Sequence, residues 1–332
     1  MSLSNHLALK RLIQDGSMGT SLEALVPDDH PLSVKGLPLW STKVLLQEPS
    51  WVTNVHKTYL DVGAEMLITA TYQASSQTLS KFAGLDIEGA RKTWQTSVDC
   101  ALDAISESEC PQKVYIAGSI GPYGAFLANG SEYSGEYNGL QAAAIADYHR
   151  EHLKFFVQAK GVDCIAFETI PNMDEVKGIF ELIREVYTPE FQKEYFVVLS
   201  CKDEKHLVDG TPLETVVEYI HSQLDGLVAS NFIGTGANCI SFELVPGIIQ
   251  SINNTSSRLG KEFLPLIVYP NLGFNNDMSD PANYGFRTDT SAWGTGVESW
   301  LSVPNVRIIG GCCSTGPAEV KTIADLVNQL PN

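Results

Sequence analysis

The sequence lacks any long apolar run. No hydrophobic stretch approaches the roughly 18 residues that a membrane-spanning helix needs. Residues 1–11 are mixed and polar, without the apolar core of a secretory signal. We therefore expect a cytoplasmic protein that neither crosses nor binds a membrane.

Clusters of basic residues are also missing. Lysine and arginine number 22 against 39 aspartates and glutamates, which gives a net charge of −17. Such an acidic chain is a poor match for the phosphates of nucleic acid. At 44% hydrophobic residues, its 332 residues can form a large core. By length alone the chain could form two domains or one large α/β barrel. Since no linker or change of composition divides it, we predict a single domain over residues 1–332.

The seven cysteines are few enough to consider one by one. In a reducing compartment they are core residues, catalytic groups or metal ligands rather than disulfides. We interpret four of them as structural or incidental: Cys100, Cys110, Cys164 and Cys201. Cys312 and Cys313 are adjacent, and a disulfide between neighbours is strained. Two thiolates that bind one metal ion are the more natural use of such a pair.

Short β-branched apolar runs alternate with helical stretches along the chain. The eight runs begin at Leu12, Glu65, Lys113, Asp163, Tyr195, Asn231, Leu264 and Asn305. The predicted helices cover residues 51–62, 88–105, 140–159, 174–187, 213–223, 244–259, 290–301 and 317–330. Eight such units predict an α/β protein with a (β/α)8 TIM barrel fold, because buried parallel strands read as continuous apolar runs. A doubly wound open sheet is the alternative that this pattern leaves open. Two long loops are predicted, at residues 27–49 and 272–292.

Barrel enzymes carry their active sites at the carboxyl ends of the strands. In a barrel, Cys239 at the end of the sixth run would approach Cys312 and Cys313 at the end of the eighth. Three thiolates with an open fourth position are typical of a catalytic zinc site, where a thiol substrate can bind. The pair Gly310–Gly311 is expected to let the backbone turn so that both thiols face one ion. An activated methyl group is the natural reaction partner of a metal-held thiolate.

Other polar residues have competing interpretations. His149 and His152 lie among Asp147, Arg150 and Glu151, so we predict a solvated helix face rather than a ligand pair. Asp15 is either a helix cap or a functional carboxylate. Glu168, which follows an apolar run, favours function because a buried carboxylate needs a cationic partner.

Several motifs resemble, in order, those of the homocysteine S-methyltransferase family. They are Asp15-Gly16-Ser17-Met18-Gly19-Thr20, Thr69-Ala70-Thr71-Tyr72-Gln73-Ala74, Gly118-Ser119-Ile120-Gly121-Pro122, Phe167-Glu168-Thr169-Ile170-Pro171, Gly236-Ala237-Asn238-Cys239 and Gly310-Gly311-Cys312-Cys313. The resemblance covers nearly the whole chain, and the Asn-Cys and Gly-Gly-Cys-Cys motifs are the most specific. It implies a zinc-dependent barrel that methylates homocysteine to methionine.

The resemblance also implies roles for particular residues. Cys239, Cys312 and Cys313 correspond to the zinc ligands. Asp15 and Glu168 match positions that hold the homocysteine amino group, and backbone amides near Gly16 and Ser17 would take its carboxylate. The predicted substrate site is completed by further strand-end and loop residues: Thr71, Tyr72, Trp40, Ser119, Tyr269 and Asn271. No catalytic residue is predicted beyond the zinc–thiolate centre.

The methyl donor is inferred from chain length. A cobalamin-dependent methionine synthase would need modules for which the chain has no room. Betaine-using relatives are expected to carry a longer C-terminal extension. The resemblance therefore favours the compact branch that uses S-methylmethionine or S-adenosylmethionine. Two alternatives stay open: a barrel that binds zinc and a thiol amino acid without catalysis, and methylation of selenohomocysteine or a related thiol. An aldolase-like barrel has no support, since no strand end supplies a lysine. The oligomeric state is not indicated.

Overall fold

The computed structural model describes residues 2–26, 30, 32, 39–272 and 290–330. The strands in these ranges are β1 (Leu12–Ile13), β2 (Met66–Ile68), β3 (Tyr115–Ile120), β4 (Cys164–Ile170), β5 (Glu194–Leu199), β6 (Cys201–Asp203), β7 (His206–Leu207), β8 (Phe232–Ser241), β9 (Leu266–Asn271) and β10 (Val306–Ile309). The helices are α1 (Leu3–Leu9), α2 (Met18–Leu25), α3 (Ser41–Gln47), α4 (Pro49–Asp61), α5 (Ser76–Ala83), α6 (Ile87–Glu107), α7 (Tyr123–Leu127), α8 (Ala142–Gln158), α9 (Met173–Val186), α10 (Leu213–Gln223), α11 (Gly226–Asn231), α12 (Val245–Arg258), α13 (Trp293–Leu301) and α14 (Pro317–Asn328). Short 3₁₀ turns occupy Ser131–Tyr133 and Phe242–Leu244.

Eight parallel strands form a closed ring, in the order β1-β10-β9-β8-β5-β4-β3-β2. The ends of this sheet meet where the Glu65 amide donates to the Ile13 carbonyl at 2.7 Å and the Asp15 amide donates to the Met66 carbonyl at 2.9 Å. The predicted TIM barrel is therefore confirmed, and the open-sheet alternative is wrong because β1 and β2 are bonded to each other. Each of the eight predicted runs contains one barrel strand. The small antiparallel hairpin of β6 and β7 was not predicted.

Two apolar layers hold the barrel together. The inner layer fills the ring with side chains such as Tyr115, Phe196 and Ile308, while a larger outer layer lies between strands and helices. Helix α1 adds Leu3 and Leu7 to the inner layer. The Glu194 carboxylate, at the start of β5, accepts the amides at the beginning of α1. The helix thus covers the end of the barrel at which the strands begin.

The eight predicted helices are all present, with ends shifted by a few residues. Helix α3 lies inside the first predicted long loop, and residues 273–289 of the second lie outside the described residues. No helix in the described parts of the chain is both long and apolar enough to cross a bilayer.

The prediction that His149 and His152 lie on a solvated helix face is wrong. The side chains of His149 and His152, which both lie on α8, are buried. His149 Nε2 lies 2.7 Å from Glu175 Oε1 on α9, and the His152 ring stacks on Trp94 with centroids 4.4 Å apart. Burial lowers the pKa of His152 to about 3, so it is neutral. Of the charged neighbours, Asp147 is exposed, whereas Arg150 and Glu151 are partly exposed.

Candidate active site at the carboxyl ends of the strands

Three cysteine thiols meet at one side of the barrel mouth. Cys239 lies near the end of β8, and Cys312 and Cys313 follow β10. The three sulfur atoms lie within 4.8 Å of one another, with 3.6 Å between those of Cys239 and Cys313. All three are free thiols. One small ion can therefore contact all three sulfurs without a change of fold.

Local backbone geometry directs these thiols. Cys239 has a φ of 53°, an uncommon left-handed conformation for a residue with a side chain, at an irregularity in the pairing of β8 with β9. The Cys312 amide donates to the Pro270 carbonyl at 2.9 Å, which ties the loop after β10 to β9. Strain at Cys239 is the kind of feature that accumulates at functional sites.

The glycine pair before the cysteines lies in a crowded place. Neither Gly310 nor Gly311 has a positive φ. A Cβ on Gly310 would lie 2.7 Å from the Gln14 side chain, and one on Gly311 would clash with Thr315. The pair is therefore required for space rather than for a left-handed backbone. The glycines allow β1 and the following loop to approach closely.

Electrostatics favour a cation among the thiols. Hydrogen bonds from the thiols of Cys312 and Cys313 hold the pKa of Cys239 well below its usual range. The contacts with Cys239, together with burial, raise the pKa values of Cys312 and Cys313 well above theirs. The protein alone thus favours one thiolate, and a divalent cation would stabilise all three. Zinc, which prefers tetrahedral sulfur and nitrogen ligands, fits this donor set.

Glu168 extends from β4 into the barrel mouth. Its carboxylate accepts hydrogen bonds from the Ser119 hydroxyl and, at 3.1 Å, from the Tyr269 hydroxyl. Burial raises the pKa of Glu168 to about 7, although these hydrogen bonds oppose the rise. Three of the predicted substrate-site residues therefore form one buried group, in which Ser119 and Tyr269 orient the carboxylate.

Asp15 is the second buried carboxylate at the mouth. Its Oδ2 accepts the Ile68 amide at 3.0 Å and lies 3.8 Å from Nδ1 of His56 on α4. Burial lowers the pKa of His56 to about 3, so the imidazole is neutral and supplies no charge. Burial raises the pKa of Asp15 well above its usual range. The helix-cap interpretation of Asp15 is wrong, because Ser17 caps α2.

The loop at Gly16 and Ser17 lies between Asp15 and helix α2. The Ser17 amide donates to the Thr315 carbonyl at 3.2 Å, so this predicted carboxylate ligand already has a partner. Tyr59 on α4 holds the loop through its hydroxyl, 3.0 Å from the Ser17 carbonyl, and its ring fills the space beside Gly16. Trp40 lies against Gly19 in α2, close enough that a Cβ there would enter its ring. The first amides of α2 remain a natural anion site.

The remaining predicted residues differ in their surroundings. Thr71 is fully buried and its hydroxyl donates to the Ser119 carbonyl at 2.7 Å, so it positions Ser119. Tyr72 packs its ring on Gly121. Asn271 at the end of β9 has a buried Oδ1 without a hydrogen-bond partner in the described structure.

Sequence reasoning missed a segment that lies over the mouth, residues 129–137. The hydroxyl of Tyr133, in its 3₁₀ turn, is 3.9 Å from the Cys239 sulfur. The Tyr137 hydroxyl donates to Glu175 at 2.6 Å, and Asn172 donates to the Gly135 carbonyl at 3.1 Å. Its role depends on contacts with β8 and α9, distant in sequence, so no local pattern reveals it.

Comparison with known proteins identifies the family of this chain. Residues 12–327 match the family model described as Homocysteine S-methyltransferase. The Bacillus subtilis protein named homocysteine S-methyltransferase YbgG is 33% identical over 96% of this chain and 95% of its own length. The chain belongs to the homocysteine S-methyltransferase family. It is therefore a methyltransferase.

Two further relatives of this homocysteine S-methyltransferase family member provide information about the metal and the methyl donor. The metallated form of the Escherichia coli homocysteine methyltransferase MmuM superposes with a TM-score of 0.78 and 30% identity, covering 97% of this chain and 98% of that one. A Drosophila melanogaster protein named betaine-homocysteine S-methyltransferase is 31% identical over 96% of this chain and 95% of its own length. Because that relative has a similar length, the expected C-terminal extension does not separate the donor classes.

Proposed function

We propose that the protein transfers a methyl group from a sulfonium donor, S-methylmethionine or S-adenosylmethionine, to homocysteine, with Zn²⁺ bound by Cys239, Cys312 and Cys313. The observation that carries this proposal is the cluster of three free thiols within 4.8 Å, beside two buried carboxylates. The family membership and the metallated form of the E. coli relative support it.

Zinc bound there would act as a Lewis acid that lowers the pKa of the substrate thiol from about 8.5 and so keeps a nucleophile available near neutral pH. The transfer replaces one carbon–sulfur bond with another. The homocysteine sulfur forms a bond to the methyl carbon, the bond between that carbon and the sulfonium sulfur breaks, and its electron pair stays on the departing thioether. The thiol proton leaves to solvent, and methionine is one product.

The carboxylates serve the amino-acid part of homocysteine. Asp15 and Glu168 are buried without a cationic partner among the residues that the structure describes, and a ligand ammonium would supply one. Ser119 and Tyr269 fix the Glu168 carboxylate so that it need not reorganise when the ammonium binds. No side chain has to accept a proton during transfer. The work of the chain is therefore alignment of two substrates.

One experiment tests the reaction and its donor together. Purified protein is loaded with zinc and given homocysteine with S-methylmethionine, S-adenosylmethionine or betaine in parallel, and methionine is quantified. We expect turnover with at least one sulfonium and a loss of activity on chelation that added zinc reverses. Turnover with betaine alone would contradict the donor, and homocysteine binding without turnover by any donor would favour the non-catalytic alternative.

A further inference from the structure

The proposed function leaves one half-buried glutamate at the barrel mouth unused. Glu132 lies in the 3₁₀ turn Ser131–Tyr133, between α7 and α8. Its Oε2 is shielded from solvent and has no hydrogen-bond partner in the described structure. A buried carboxylate oxygen without a partner costs free energy, and such groups in native proteins call for an explanation.

Glu132 is close to the thiol cluster and to two tyrosines. Burial raises the pKa of Glu132 to about 7, and negative charge on Cys239 adds to the rise. Burial raises the pKa of Tyr72 and the charge of Cys239 raises that of Tyr133, and the charge of Glu132 makes a smaller contribution to each. The Tyr133 hydroxyl reaches the Cys239 sulfur, while 41% of the surface of the whole residue is exposed.

Glu132 does not hold its own segment in place. The Ser131 amide donates to Asn129 at 3.1 Å, and Gly124 allows the Glu132 backbone to approach α7 closely. Further along, Asn172 and Glu175 fix Gly135 and Tyr137. The side chain of Glu132 is thus presented by a frame that does not need its charge.

Two further unpartnered oxygens near the mouth are hydrogen-bond acceptors. Gln73, next to Tyr72, has a buried Oε1 without a partner, as Asn271 does with its Oδ1. Acceptor oxygens match a ligand that brings positive charge and N–H groups. A sulfonium amino acid carries two such features, a sulfonium cation and an ammonium group.

We propose that Glu132 binds the positive charge of the methyl donor and is a specificity-determining residue for cationic sulfonium substrates. The inference rests on the proposed function, since it concerns the second substrate of the same site. Asp15 and Glu168 serve the homocysteine ammonium, whereas Glu132 sits on the separate 129–137 segment. The faces of Tyr72 and Tyr133 add the cation-attracting surface that sulfonium recognition uses.

Glu132→Gln tests the proposal, because it keeps the shape of the side chain and removes its charge. Glu136→Gln, an exposed change in the same segment, is the matched control. Zinc-loaded proteins are titrated calorimetrically with S-methylmethionine, a cation at sulfur, and with methionine, its neutral thioether counterpart. We expect Glu132→Gln to weaken S-methylmethionine binding at least tenfold and to change methionine binding less than twofold. Glu132→Asp, which keeps the charge on a shorter arm, should fall between the wild type and Glu132→Gln.

Kinetics provide the second measurement. The KM for the sulfonium donor should rise at least tenfold in Glu132→Gln, with the KM for homocysteine and the zinc content unchanged and the melting temperature not lowered. Equal weakening of both calorimetric ligands, or no weakening of either, would overturn the role of Glu132. If the wild type binds S-methylmethionine but transfers no methyl group, the proposed function fails while the titration still decides this inference. If the wild type does not bind a sulfonium at all, the inference itself is wrong.

Discussion

The side-chain amide of Asn238 is hydrogen-bonded twice to Thr169. Asn238 Oδ1 accepts the Thr169 amide at 2.7 Å, and Asn238 Nδ2 donates to the Thr169 hydroxyl at 2.9 Å. Thr169 follows Glu168, and Asn238 precedes Cys239. Thr169 and Cys239 both have positive φ, at 61° and 53°. One amide therefore joins two strained strand ends, the one that carries a carboxylate and the one that carries a thiol.

Asn238→Ala should loosen both halves of the site at once. The change leaves a buried amide unpaired, which costs about 1–3 kcal/mol, and frees the backbone that directs Cys239. We expect zinc affinity to fall on the order of tenfold and the homocysteine KM to rise, measured by chelator competition and steady-state kinetics. The control is Asn253→Ala. This change breaks two hydrogen bonds between the side-chain amides of Asn253, on α12, and Asn305, just before β10. Equal effects of the two changes on zinc would show that Asn238 acts only through general stability.

The sequence was sufficient to predict the barrel and the thiol cluster for a physical reason. Parallel strands buried on both faces read as apolar runs, and closure of the ring then decides which strand ends meet. Cys239 and Cys312 could be brought together on that basis alone. Helix α1 was not predicted because it is only seven residues long and buries just two apolar side chains, Leu3 and Leu7, beside His6.

The burial of His149 and His152 could have been predicted from the sequence. With Ile145 and Phe156 they form a stripe at spacings of four, three and four residues, which is the buried face of α8. The charged residues beside the two histidines instead led to the prediction of a solvated face. Glu132 left no comparable signal, because its importance arises from contacts between segments far apart in the chain.

Glu168 should make the stability of the metal-free protein depend on pH. Its pKa in the fold, about 7, lies above the ordinary value of 4.5, so the folded state favours the protonated form. This contribution is complete below about pH 4.5 and is lost as the pH rises through 7. Glu168→Gln, which cannot ionise, should be more stable than the wild type at pH 8, by at most about 3 kcal/mol, and nearly equal to it at pH 5.

Urea midpoints at the two pH values measure this difference, and exposed Glu109→Gln serves as the control. In the zinc-loaded enzyme, Glu168→Gln should also raise the homocysteine KM at least tenfold while zinc stays bound. Loss of zinc in this variant would mean that Glu168 supports the thiols instead of the substrate. A stability difference that does not change with pH would contradict its buried ionisation.

Glu175 should control the segment over the mouth from a distance. Its carboxylate accepts the Tyr123 amide at 2.8 Å, the Tyr137 hydroxyl at 2.6 Å and lies 2.7 Å from His149 Nε2. Glu175→Gln replaces one acceptor oxygen with a donor and breaks at least one of these bonds, at a cost of about 1–3 kcal/mol.

We expect this variant to melt earlier and to show a raised KM for the methyl donor, with the homocysteine KM changed less. Exposed Glu181→Gln on the same helix is the control. The donor effect should be partly restored by His149→Gln in the same protein, since the two amides can pair. A raised homocysteine KM with an unchanged donor KM would contradict a role of the 129–137 segment in donor binding.

Cys312→Ala should abolish metal binding, and the loss can be followed without any assay of turnover. An ion that binds only the folded protein raises its melting temperature, so a chelator should lower the melting temperature of the wild type. In Cys312→Ala the site loses one of three sulfurs, and we expect chelator and added zinc to leave the melting temperature unchanged. Zinc content by mass spectrometry should fall from one ion per chain to nearly none, and methyl transfer should cease.

Cys164→Ala is the matched control, because this thiol is buried inside the barrel among apolar side chains rather than in the thiol cluster. It should lose some stability through its small cavity but keep the chelator response. Full zinc content in Cys312→Ala, or an equal loss in Cys164→Ala, would remove the thiol cluster as the metal site.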